Sequence, residues 1–356
     1  HNQCVATRLP LLLALSMLPP TAVAHQPPAP ETGLHEAVTF STYPHFGDNA
    51  ALLRRLLSPL NALRVEQHLT GDPEALRAEP LDPASQRFAV YVPPAPAPAG
   101  GYALLVFVPP WDDARVPLAW IPVLNRTHTI FVTAAHSGND ANVLDRREPL
   151  ALLGAYGTMQ RYPVDPAHVY VGGFSGGSRV ALRLALGYPD VFHGALLDAG
   201  SDPIGTAAVP LPPSDLLHQF QASSRIVFVT GSDDMIRQAQ LARASDALQT
   251  WCVFDAASTT LLHTGHALAS ASGFAQAMDA LRRPAAPDTA RITACRNQHA
   301  RTLAAELDRV RVLIDSGQNT PAAKLLRQID ARYGGLAAPS SVELARALDH
   351  ANRRHR

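Results

Sequence analysis

The spacing of apolar residues changes twice along the chain. Between Leu52 and Leu63, leucines recur every three or four residues, a period that predicts amphipathic helix. Ser58-Pro59 falls inside this stretch and predicts a break into two helices, because proline cannot continue a helix. From Phe88 onward, short runs rich in β-branched and aromatic residues alternate with longer runs of helical period, and after Pro287 only the helical period remains. This alternation predicts an α/β fold with a mostly parallel sheet flanked by helices.

The individual elements follow from the same pattern. The predicted strands are Phe88–Val92, Tyr102–Val108, Thr129–Ala134, Val169–Phe174, Gly194–Asp198, Arg225–Thr230 and Thr250–Phe254. The predicted helices of the central region are Arg146–Tyr162, Ser178–Tyr188, Met235–Leu248 and Gly273–Leu281. In the C-terminal region the pattern predicts a helical hairpin, Ala294–Ser316 and Pro321–Tyr333, and a short helix over Ser341–Asp349. Gly317 is the expected end of the first hairpin helix, and Thr320 is the expected N-cap of the second.

The composition is that of a globular protein. The 356 residues are 47% hydrophobic and 17% charged, which supplies a sizeable core and excludes a wholly disordered chain. Arginine plus lysine equals aspartate plus glutamate, at 30 each. The chain therefore lacks the basic excess of a nucleic-acid binder, and no nucleic-acid partner is expected.

The N-terminus predicts a secretory signal. An apolar run from Leu9 to Leu18 follows Arg8, and Ala22-Val23-Ala24 provides an A-x-A cleavage site directly before His25. The run is too short to span a bilayer, so no membrane span is predicted. We expect residues 1–24 to be removed and the protein to be secreted or periplasmic in a bacterium, and a buried N-terminal helix is the alternative.

Cysteine usage bears on the same question of compartment. Cys4 lies in the predicted signal peptide, which leaves Cys252 and Cys295 in the mature chain. In an oxidising compartment these two form a candidate disulfide, and two separate buried thiols are the alternative. No metal site is predicted, because the N-terminal histidines lack the spacing of metal ligands.

The strongest chemical signal is a G-x-S-x-G sequence at residues 173–177. It stands between a predicted strand that ends at Phe174 and a predicted helix that begins at Ser178, which is the context of a nucleophile elbow. The sharp turn is expected to strain Ser175, and the flanking glycines let strand and helix approach without Cβ clashes. Ser175 is therefore the predicted nucleophile, and an ordinary glycine-rich turn is the alternative.

A serine hydroxyl needs a base, and on this architecture the acid and then the histidine follow the serine along the chain. The predicted strand that ends at Thr230 is followed by Asp233 and Asp234, and we prefer Asp234 as the acid. The next predicted strand is followed by His263 and His266, and we prefer His266 as the base. Asp233 and His263 are the fallback members of the triad.

An oxyanion hole needs two backbone N–H donors. Gly176, directly after the nucleophile, is the first expected donor. The second should come from the loop after Val108, where Pro109-Pro110 has no N–H to donate, so Trp111 is the first candidate. Packing of a large aromatic side chain at the edge of the sheet is the alternative role for Trp111.

Three other features bear on the site. Asn139, Asp140 and Asn142 form a polar loop that either lines the pocket or is a solvated turn. The long proline-rich loop after Asp198 is expected to form one wall of the site or a lid over it. On the helix after the elbow, Arg179 and Arg183 lie one turn apart and are expected at a solvent-facing edge.

Two blocks of sequence resemble the polyhydroxybutyrate depolymerase and feruloyl-esterase-like group of α/β-hydrolases. The first block runs from Tyr162 to Gly177, and the second is Tyr188-Pro189-Asp190-Val191-Phe192. That group places D-P-x-R-V-Y-V-x-G-x-S-x-G before the elbow helix and Y-P-D-x-F after it. This chain departs from the group in lacking the His-Gly oxyanion motif, in lacking a β-rich substrate-binding module, and in having a helical C-terminal segment.

The resemblance implies an α/β-hydrolase fold and a secreted serine esterase that uses Ser175, Asp234 and His266 without metal or cofactor. The expected partner is a small-molecule or oligomeric ester substrate. From the pattern of elements along the chain, residues 25–86 are predicted to be an N-terminal helical and Pro-rich segment, 87–287 the α/β-hydrolase catalytic domain, and 288–356 a C-terminal helical segment.

Other functions would use the same residues. A serine peptidase or an acyltransferase has the same fold and triad, and the fold does not separate them from an esterase. A non-catalytic secreted binding protein on a hydrolase scaffold is a further alternative. The complete set of serine, aspartate and histidine favours an enzyme over that alternative.

Overall fold

Eight strands form one sheet in the computed structural model, which describes residues 31–69, 72–94 and 96–354. The strands are β1 Gly33–Val38, β2 Phe88–Val92, β3 Tyr102–Val108, β4 Thr129–Ala134, β5 Val164–Phe174, β6 Gly194–Asp198, β7 Arg225–Gly231 and β8 Ala256–Leu261. Their order across the sheet is β1-β2-β4-β3-β5-β6-β7-β8. Strand β2 pairs antiparallel with β1 and β4, and the remaining pairs are parallel.

This strand order, with an antiparallel second strand, is that of the α/β-hydrolase fold, and the predicted fold class is confirmed. The parallel strands all end at one edge of the sheet, so the loops after β5, β7 and β8 meet there. Ligands of open α/β sheets bind at this edge, outside the carboxyl ends of the strands. The predicted catalytic residues all lie on these three loops.

Helices lie between the strands and after them. The described α-helices are α1 Asn49–Leu56, α2 Pro59–Leu69, α3 Pro73–Arg77, α4 Ile121–Arg126, α5 Glu148–Arg161, α6 Gly176–Gly187, α7 Ser214–Ser223, α8 Met235–Thr250, α9 Ala271–Leu281, α10 Thr289–Asp315, α11 Asn319–Tyr333 and α12 Ser340–Arg354. The predicted break at Ser58-Pro59 is confirmed, since α1 ends before it and α2 begins at the proline. The predicted N-cap at Thr320 is wrong: Gly317, with φ 74°, closes α10, and the chain re-enters helix at once, with Gln318 as the N-cap.

The sheet is buried on both faces. Along β3, Leu104, Val106 and Val108 point into one layer of the core, and Leu105 and Phe107 point into the other. Successive side chains of a strand alternate between the two faces, so a strand covered on both sides is apolar throughout. Helices α5 and α6 cover the first layer, and α4 and α9 cover the second.

The predicted strand Thr250–Phe254 is wrong. Helix α8 continues through Thr250, and the apolar residues after it form a buried turn. The Trp251 ring packs against His299 and Tyr333 of the C-terminal helices, with ring centroids 4.4 and 5.6 Å away. The apolar run therefore reflects burial beneath the C-terminal helices, and the strand begins later, at Ala256.

The two edge strands carry weak sequence signals. Strand β8 reads Ala-Ala-Ser-Thr-Thr-Leu, and its side chains alternate between exposed and half-buried until Leu261. Strand β1, which the apolar pattern did not predict, has one buried side chain, Val38. An edge strand buries fewer side chains than a central one, so selection for apolar residues is weaker there.

The C-terminal helices are tied to the N-terminal ones by hydrogen bonds. The carboxylate of Asp330 in α11 accepts from the Ser58 hydroxyl at 2.6 Å and from the Leu60 N–H at 2.9 Å. It thereby satisfies an N–H in the first turn of α2 that has no partner within that helix. The Gly335 N–H also donates to the Leu211 carbonyl at 2.7 Å, so the C-terminal segment supports the loop after β6.

A disulfide joins Cys252 to Cys295, with Cα atoms 5.8 Å apart and a sequence separation of 43. Cys252 lies in the buried turn after α8, rather than in a strand as predicted, and Cys295 lies in α10. The bond therefore ties the C-terminal helices to the segment between α8 and β8. Closing a loop of this length stabilises a fold by about 3–4 kcal/mol.

The predicted signal peptide, residues 1–24, lies outside the described residues. Within the part of the chain that the structure describes, no helix combines the length and the apolar character needed to cross a membrane.

Candidate active site

The elbow joins β5 to α6. Ser175 has φ 54° and ψ −116°, a positive-φ conformation that residues other than glycine rarely adopt. A Cβ on Gly173 would lie 2.3 Å from the carbonyl carbon of Gly177, and a Cβ on Gly177 would lie 1.9 Å from the carbonyl oxygen of Val108. Only glycine fits at these two positions. The close packing of strand and helix holds Ser175 in its strained turn.

Ser175, His266 and Asp234 lie in a continuous hydrogen-bonded chain. His266 Nε2 is 3.0 Å from Ser175 Oγ, and His266 Nδ1 is 2.7 Å from Asp234 Oδ2. With the ring proton on Nδ1, the imidazole donates to the carboxylate and accepts from the serine hydroxyl. The side chain of Asp234 is 8% exposed and that of His266 is 39% exposed. The carboxylate is thus shielded from water, while the imidazole is partly exposed.

The Asp234 carboxylate serves two partners with different oxygens. Oδ2 accepts from His266, and Oδ1 accepts from the Arg237 N–H at 3.2 Å, which caps the N-terminus of α8. The acid loop is also bonded to the histidine loop, since the Asp233 N–H donates to the Thr264 carbonyl at 2.9 Å. These contacts fix the carboxylate against the imidazole before any substrate binds.

The fallback residues lie on the same loops but outside the hydrogen-bonded chain. Asp233 is exposed, and its carboxylate accepts from the Ser232 hydroxyl at 2.9 Å. His263 is exposed, and its backbone N–H donates to the same hydroxyl at 2.9 Å. Among the described residues, neither side chain is hydrogen-bonded to Ser175 or His266.

Aromatic rings pack beside the base. The Phe174 ring stacks on the imidazole of His266, with centroids 5.1 Å apart and planes at 26°. The Trp111 ring packs against Phe174 and Phe107, with centroids 6.2 and 6.4 Å away. The side chain of Trp111 therefore packs against aromatic rings, which was the alternative role considered for this residue. This packing does not bear on whether its backbone N–H is an oxyanion donor.

The loop after β3 lies against the elbow, where the second oxyanion donor is expected. The backbone of Val108 and Pro109 occupies the space that a Cβ on Gly177 would need. Arg147 holds the loop in place, because its guanidinium donates to the Pro109 carbonyl at 2.8 Å and to the Ser137 carbonyl at 2.9 Å. Gly176 N–H, at the first position of α6, has no partner within the helix. The use of Gly176 and Trp111 as donors stays a prediction.

Asp198, at the end of β6, is a residue of the site that sequence reasoning missed. Its backbone carbonyl accepts from the Ser175 N–H at 2.8 Å, and its carboxylate accepts from the Ala269 N–H at 2.8 Å. Burial raises the pKa of this carboxyl to about 7, against the opposing effect of the Ala269 hydrogen bond. Ala269 follows His266 by three residues, so Asp198 ties the histidine loop to the elbow and acts as a positioning residue. As the last residue of a predicted strand, it carried no signal of this role.

A cavity of about 690 Å³ adjoins Ser175. Asn139 and Asn142 line it, so the polar loop after β4 contributes to the pocket, as one of the two readings predicted. Asp202 and Ala208 line it from the loop after β6, which forms one wall. The cavity is within the range of volumes that small-molecule sites occupy.

The two arginines of α6 have different environments. The Arg183 side chain is 15% exposed, and its Nε lies 2.6 Å from a carboxylate oxygen of the fully buried Glu148. The predicted solvent-facing position of Arg183 is therefore wrong, because α5 and the loop after β6 pack over it. Arg179 is 40% exposed and also lines the cavity.

One group of ligand-type side chains among the described residues is close enough to hold a metal ion. Atoms of Cys252, Cys295 and His299 lie within 4.8 Å of one another. Because the two sulfurs are bonded to each other, neither offers a thiolate. None of these residues belongs to the hydrogen-bonded chain or lines the cavity.

Comparison with known proteins finds remote likenesses to solved structures. No protein-family model and no curated protein matches the sequence. Similar solved structures include the S-formylglutathione hydrolase of Staphylococcus aureus, at 14% identity and a TM-score of 0.42 over 54% of this chain and 89% of that one. A ferulic acid esterase is 15% identical, with a TM-score of 0.40 over 55% of this chain and 90% of that one.

A thermostable esterase is 14% identical, with a TM-score of 0.38 over 50% of this chain, which spans about half, 51%, of that protein's length. All three likenesses are remote. The fold assignment therefore rests on the strand order, and any functional assignment rests on the site.

Proposed function

We propose that the protein is a serine hydrolase that cleaves carboxylic esters through an acyl-enzyme on Ser175. The observation that carries the proposal is the hydrogen-bonded chain from Ser175 through His266 to Asp234. It stands on a strained elbow at a helix N-terminus, beside an open cavity. This combination supplies an activated nucleophile, a base, a group that orients the base, and room for a substrate.

In the acylation step, His266 Nε2 takes the proton of the Ser175 hydroxyl while Oγ bonds to the ester carbonyl carbon. The carbonyl oxygen becomes an oxyanion, which the N–H groups of Gly176 and Trp111 would stabilise. His266 then returns the proton to the leaving alkoxide as the C–O bond breaks. In the deacylation step, His266 takes a proton from a water molecule as its oxygen bonds to the acyl carbonyl carbon. His266 then returns the proton to Ser175 Oγ as the acyl–enzyme bond breaks and the acid leaves. Asp234 stabilises the imidazolium throughout without itself becoming protonated.

The substrate preference for esters rests on sequence. The blocks around the elbow resemble the polyhydroxybutyrate depolymerase and feruloyl-esterase-like group, which supports an esterase of that kind. A serine peptidase or an acyltransferase would use the same residues and is the alternative. Matched 4-nitrophenyl esters and 4-nitroanilides of the same acid separate hydrolysis of esters from hydrolysis of amides.

A fluorophosphonate probe gives the direct test of the nucleophile. We expect stoichiometric labelling, with the adduct on the peptide that contains Ser175, and none in Ser175→Ala. A panel of 4-nitrophenyl esters should be hydrolysed by the wild type and not by the variant. Labelling elsewhere, or equal hydrolysis by both proteins, would overturn the proposal.

We further propose that the protein is secreted or periplasmic. The A-x-A sequence before His25 supports this, and the Cys252–Cys295 disulfide is typical of an oxidising compartment. N-terminal sequencing of protein expressed in a bacterial host should begin at His25 in the periplasmic or extracellular fraction. Full-length protein retained in the cytoplasm would contradict the proposal.

A further inference from the structure

The cavity beside Ser175 carries an excess of positive charge. Four arginines line it: Arg147, Arg179, Arg183 and Arg237. Among the described residues that line it, Asp202 is the only acidic one. A neutral ester would not require such a lining, and the overall net charge of zero does not explain it.

Two of these arginines have structural partners. Arg147 is buried and donates to two backbone carbonyls of the loops around the site. Arg183 donates to Glu148 at 2.6 Å and to the Ala208 and Leu56 carbonyls at 2.7 and 3.2 Å. Glu148 offsets one of these two charges. Arg147 and Arg183 therefore shape the cavity. Together with Glu148 they leave about one positive charge behind the cavity wall.

The other two arginines are free to bind a ligand. Arg179, four residues after Ser175 in α6, has its Nε 3.6 Å from Asp202, which is too long for a hydrogen bond. Arg237, in the first turn of α8, donates to the neutral Gln240 side chain at 2.9 Å. No carboxylate among the described residues lies within 4.0 Å of the Arg237 guanidinium. The two side chains line the cavity from helices that begin at the nucleophile and at the acid.

We infer that the cavity binds an ionised carboxylate of the substrate, held by Arg179 and Arg237, while the ester carbonyl lies at Ser175. This inference rests on the proposed esterase function and names its substrate class: esters whose acyl part ends in a free carboxylate. A guanidinium matches a carboxylate with two parallel N–H donors, which makes arginine the usual residue for this task. Val143, Leu144 and Val180 line the same cavity and suit an aliphatic chain between the ester and the acid.

The charge count favours a carboxylate over a phosphate. Arg179 and Arg237 together carry two positive charges, and Asp202 removes one of them. The single charge that remains at the cavity surface balances a monoanion. The charge of Arg147 lies behind the wall, where its guanidinium is bound to two backbone carbonyls. A phosphate-bearing ester is therefore the competing ligand that the test includes.

The test compares two substrates that differ in charge. Mono-4-nitrophenyl adipate carries a terminal carboxylate, and 4-nitrophenyl hexanoate is its neutral counterpart with the same leaving group and chain length. For the wild-type protein we expect the ratio of kcat/KM for the acidic ester to that for the neutral ester to be about ten or more, because a charge-assisted hydrogen bond is worth a factor of this size. The difference should lie in KM, and the ratio should fall as salt is added.

Substitutions then locate the binding residues. Arg179→Gln and Arg237→Gln should each lower the ratio by about tenfold, and Arg237→Lys should lower it less, since lysine keeps the charge but loses the paired donors. Arg243→Gln is the matched control, because Arg243 is an exposed arginine of the same helix α8 and does not line the cavity. It should leave the ratio unchanged.

The outcomes separate this inference from the proposed function. A wild-type ratio of one or below, with both esters hydrolysed, overturns the carboxylate site and leaves the esterase intact. Hydrolysis of neither ester, together with no fluorophosphonate label on Ser175, overturns the proposed function itself. A higher kcat/KM for an ester that ends in phosphate than for the adipate ester would overturn the choice of carboxylate. The wild-type ratio and its salt dependence test the inference even if a variant fails to fold.

Discussion

The two sides of Ser175 are built in different ways. On the side of the proposed triad, which we call the catalytic side, Asp234 and His266 lie in the loops after β7 and β8, and hydrogen bonds between these loops hold them. On the cavity side, the lining comes from four separate stretches of chain, at residues 139–147, 175–183, 202–208 and 237. Parallel strand ends meet wherever the sheet forms, so the catalytic side follows from the order of elements. The charge and shape of the cavity side depend on the packing of helices and long loops, so they are seen only in the folded protein.

The largest expected effect is on the catalytic side. Ser175→Ala and His266→Ala should each reduce kcat by about 10⁵-fold, and the double variant should lose little more, because the residues act as a unit. Steady-state kinetics with 4-nitrophenyl hexanoate would measure this. Additive losses in the double variant would show that the two residues act independently.

The two aspartates of the acid loop form a matched pair. Asp234→Asn should lower kcat by about 10³–10⁴-fold, because asparagine can still cap α8 but leaves His266 in the wrong tautomer. Asp233→Asn should change kcat less than twofold, since that carboxylate contacts Ser232 and not the imidazole. If Asp233→Asn instead shows the large loss of kcat, the hydrogen-bonded chain in the structure is not the catalytic one.

Asp198 predicts how stability depends on pH. Its pKa is raised to about 7 in the folded protein, so between pH 4 and pH 7 the folded state binds a proton that the unfolded state has released. The free energy of unfolding should therefore fall as pH rises through this range, by on the order of 4 kcal/mol from this group. Asp198→Asn removes the titration and should flatten the dependence.

Urea unfolding at pH 5 and pH 8 would measure this effect. The stability of Asp198→Asn relative to the wild type should be greater at pH 8 than at pH 5. Asp233→Asn, at an exposed carboxyl, is the control and should show no such change. If the free energies of unfolding of Asp198→Asn and the wild type differ by the same amount at both pH values, the pKa of Asp198 is in the ordinary range for an aspartate.

The disulfide should affect stability without affecting the chemistry. Replacing both Cys252 and Cys295 with serine should lower the free energy of unfolding by about 3–4 kcal/mol. The kcat/KM for neutral esters should stay within twofold, because neither residue lines the cavity or contacts Ser175. Reductant should destabilise the wild type and leave the double variant unchanged, and an equal response of both proteins would show that the bond contributes nothing.

The smallest expected effect is on the cavity side, and it is an increase in the preference for the acidic ester over the neutral one. Asp202→Asn removes the carboxylate beside Arg179, so the preference for the acidic ester should rise by about three- to fivefold. Asp215→Asn is the control, since Asp215 is exposed in α7 and pairs with Arg54. An unchanged preference in Asp202→Asn would show that Arg179 does not bind the carboxylate.

Two errors of sequence-based prediction arise from packing by segments that are distant along the chain. Thr250–Phe254 has the composition of a strand but is buried by the C-terminal helices, whereas the true edge strand β8 is largely polar. His266 nevertheless lies between Ser175 and Asp234, as its order along the chain predicted, because that order does not depend on the bounds of the strand before it. Arg183 was expected in solvent, and its burial arises from Glu148 and from the loop after β6.

The elbow, the order of Ser175, Asp234 and His266 along the chain, and the sheet that brings them to one edge could all be inferred from the sequence. These depend on glycine sterics, on the period of apolar residues and on parallel pairing, all of which are visible over a few neighbouring residues. The folded structure alone shows that Asp198 holds the histidine loop and that arginines from α6, from α8 and from the turn before α5 surround one cavity. Burial and electrostatic fields act between atoms a few ångströms apart in space, and these residues lie far apart along the chain.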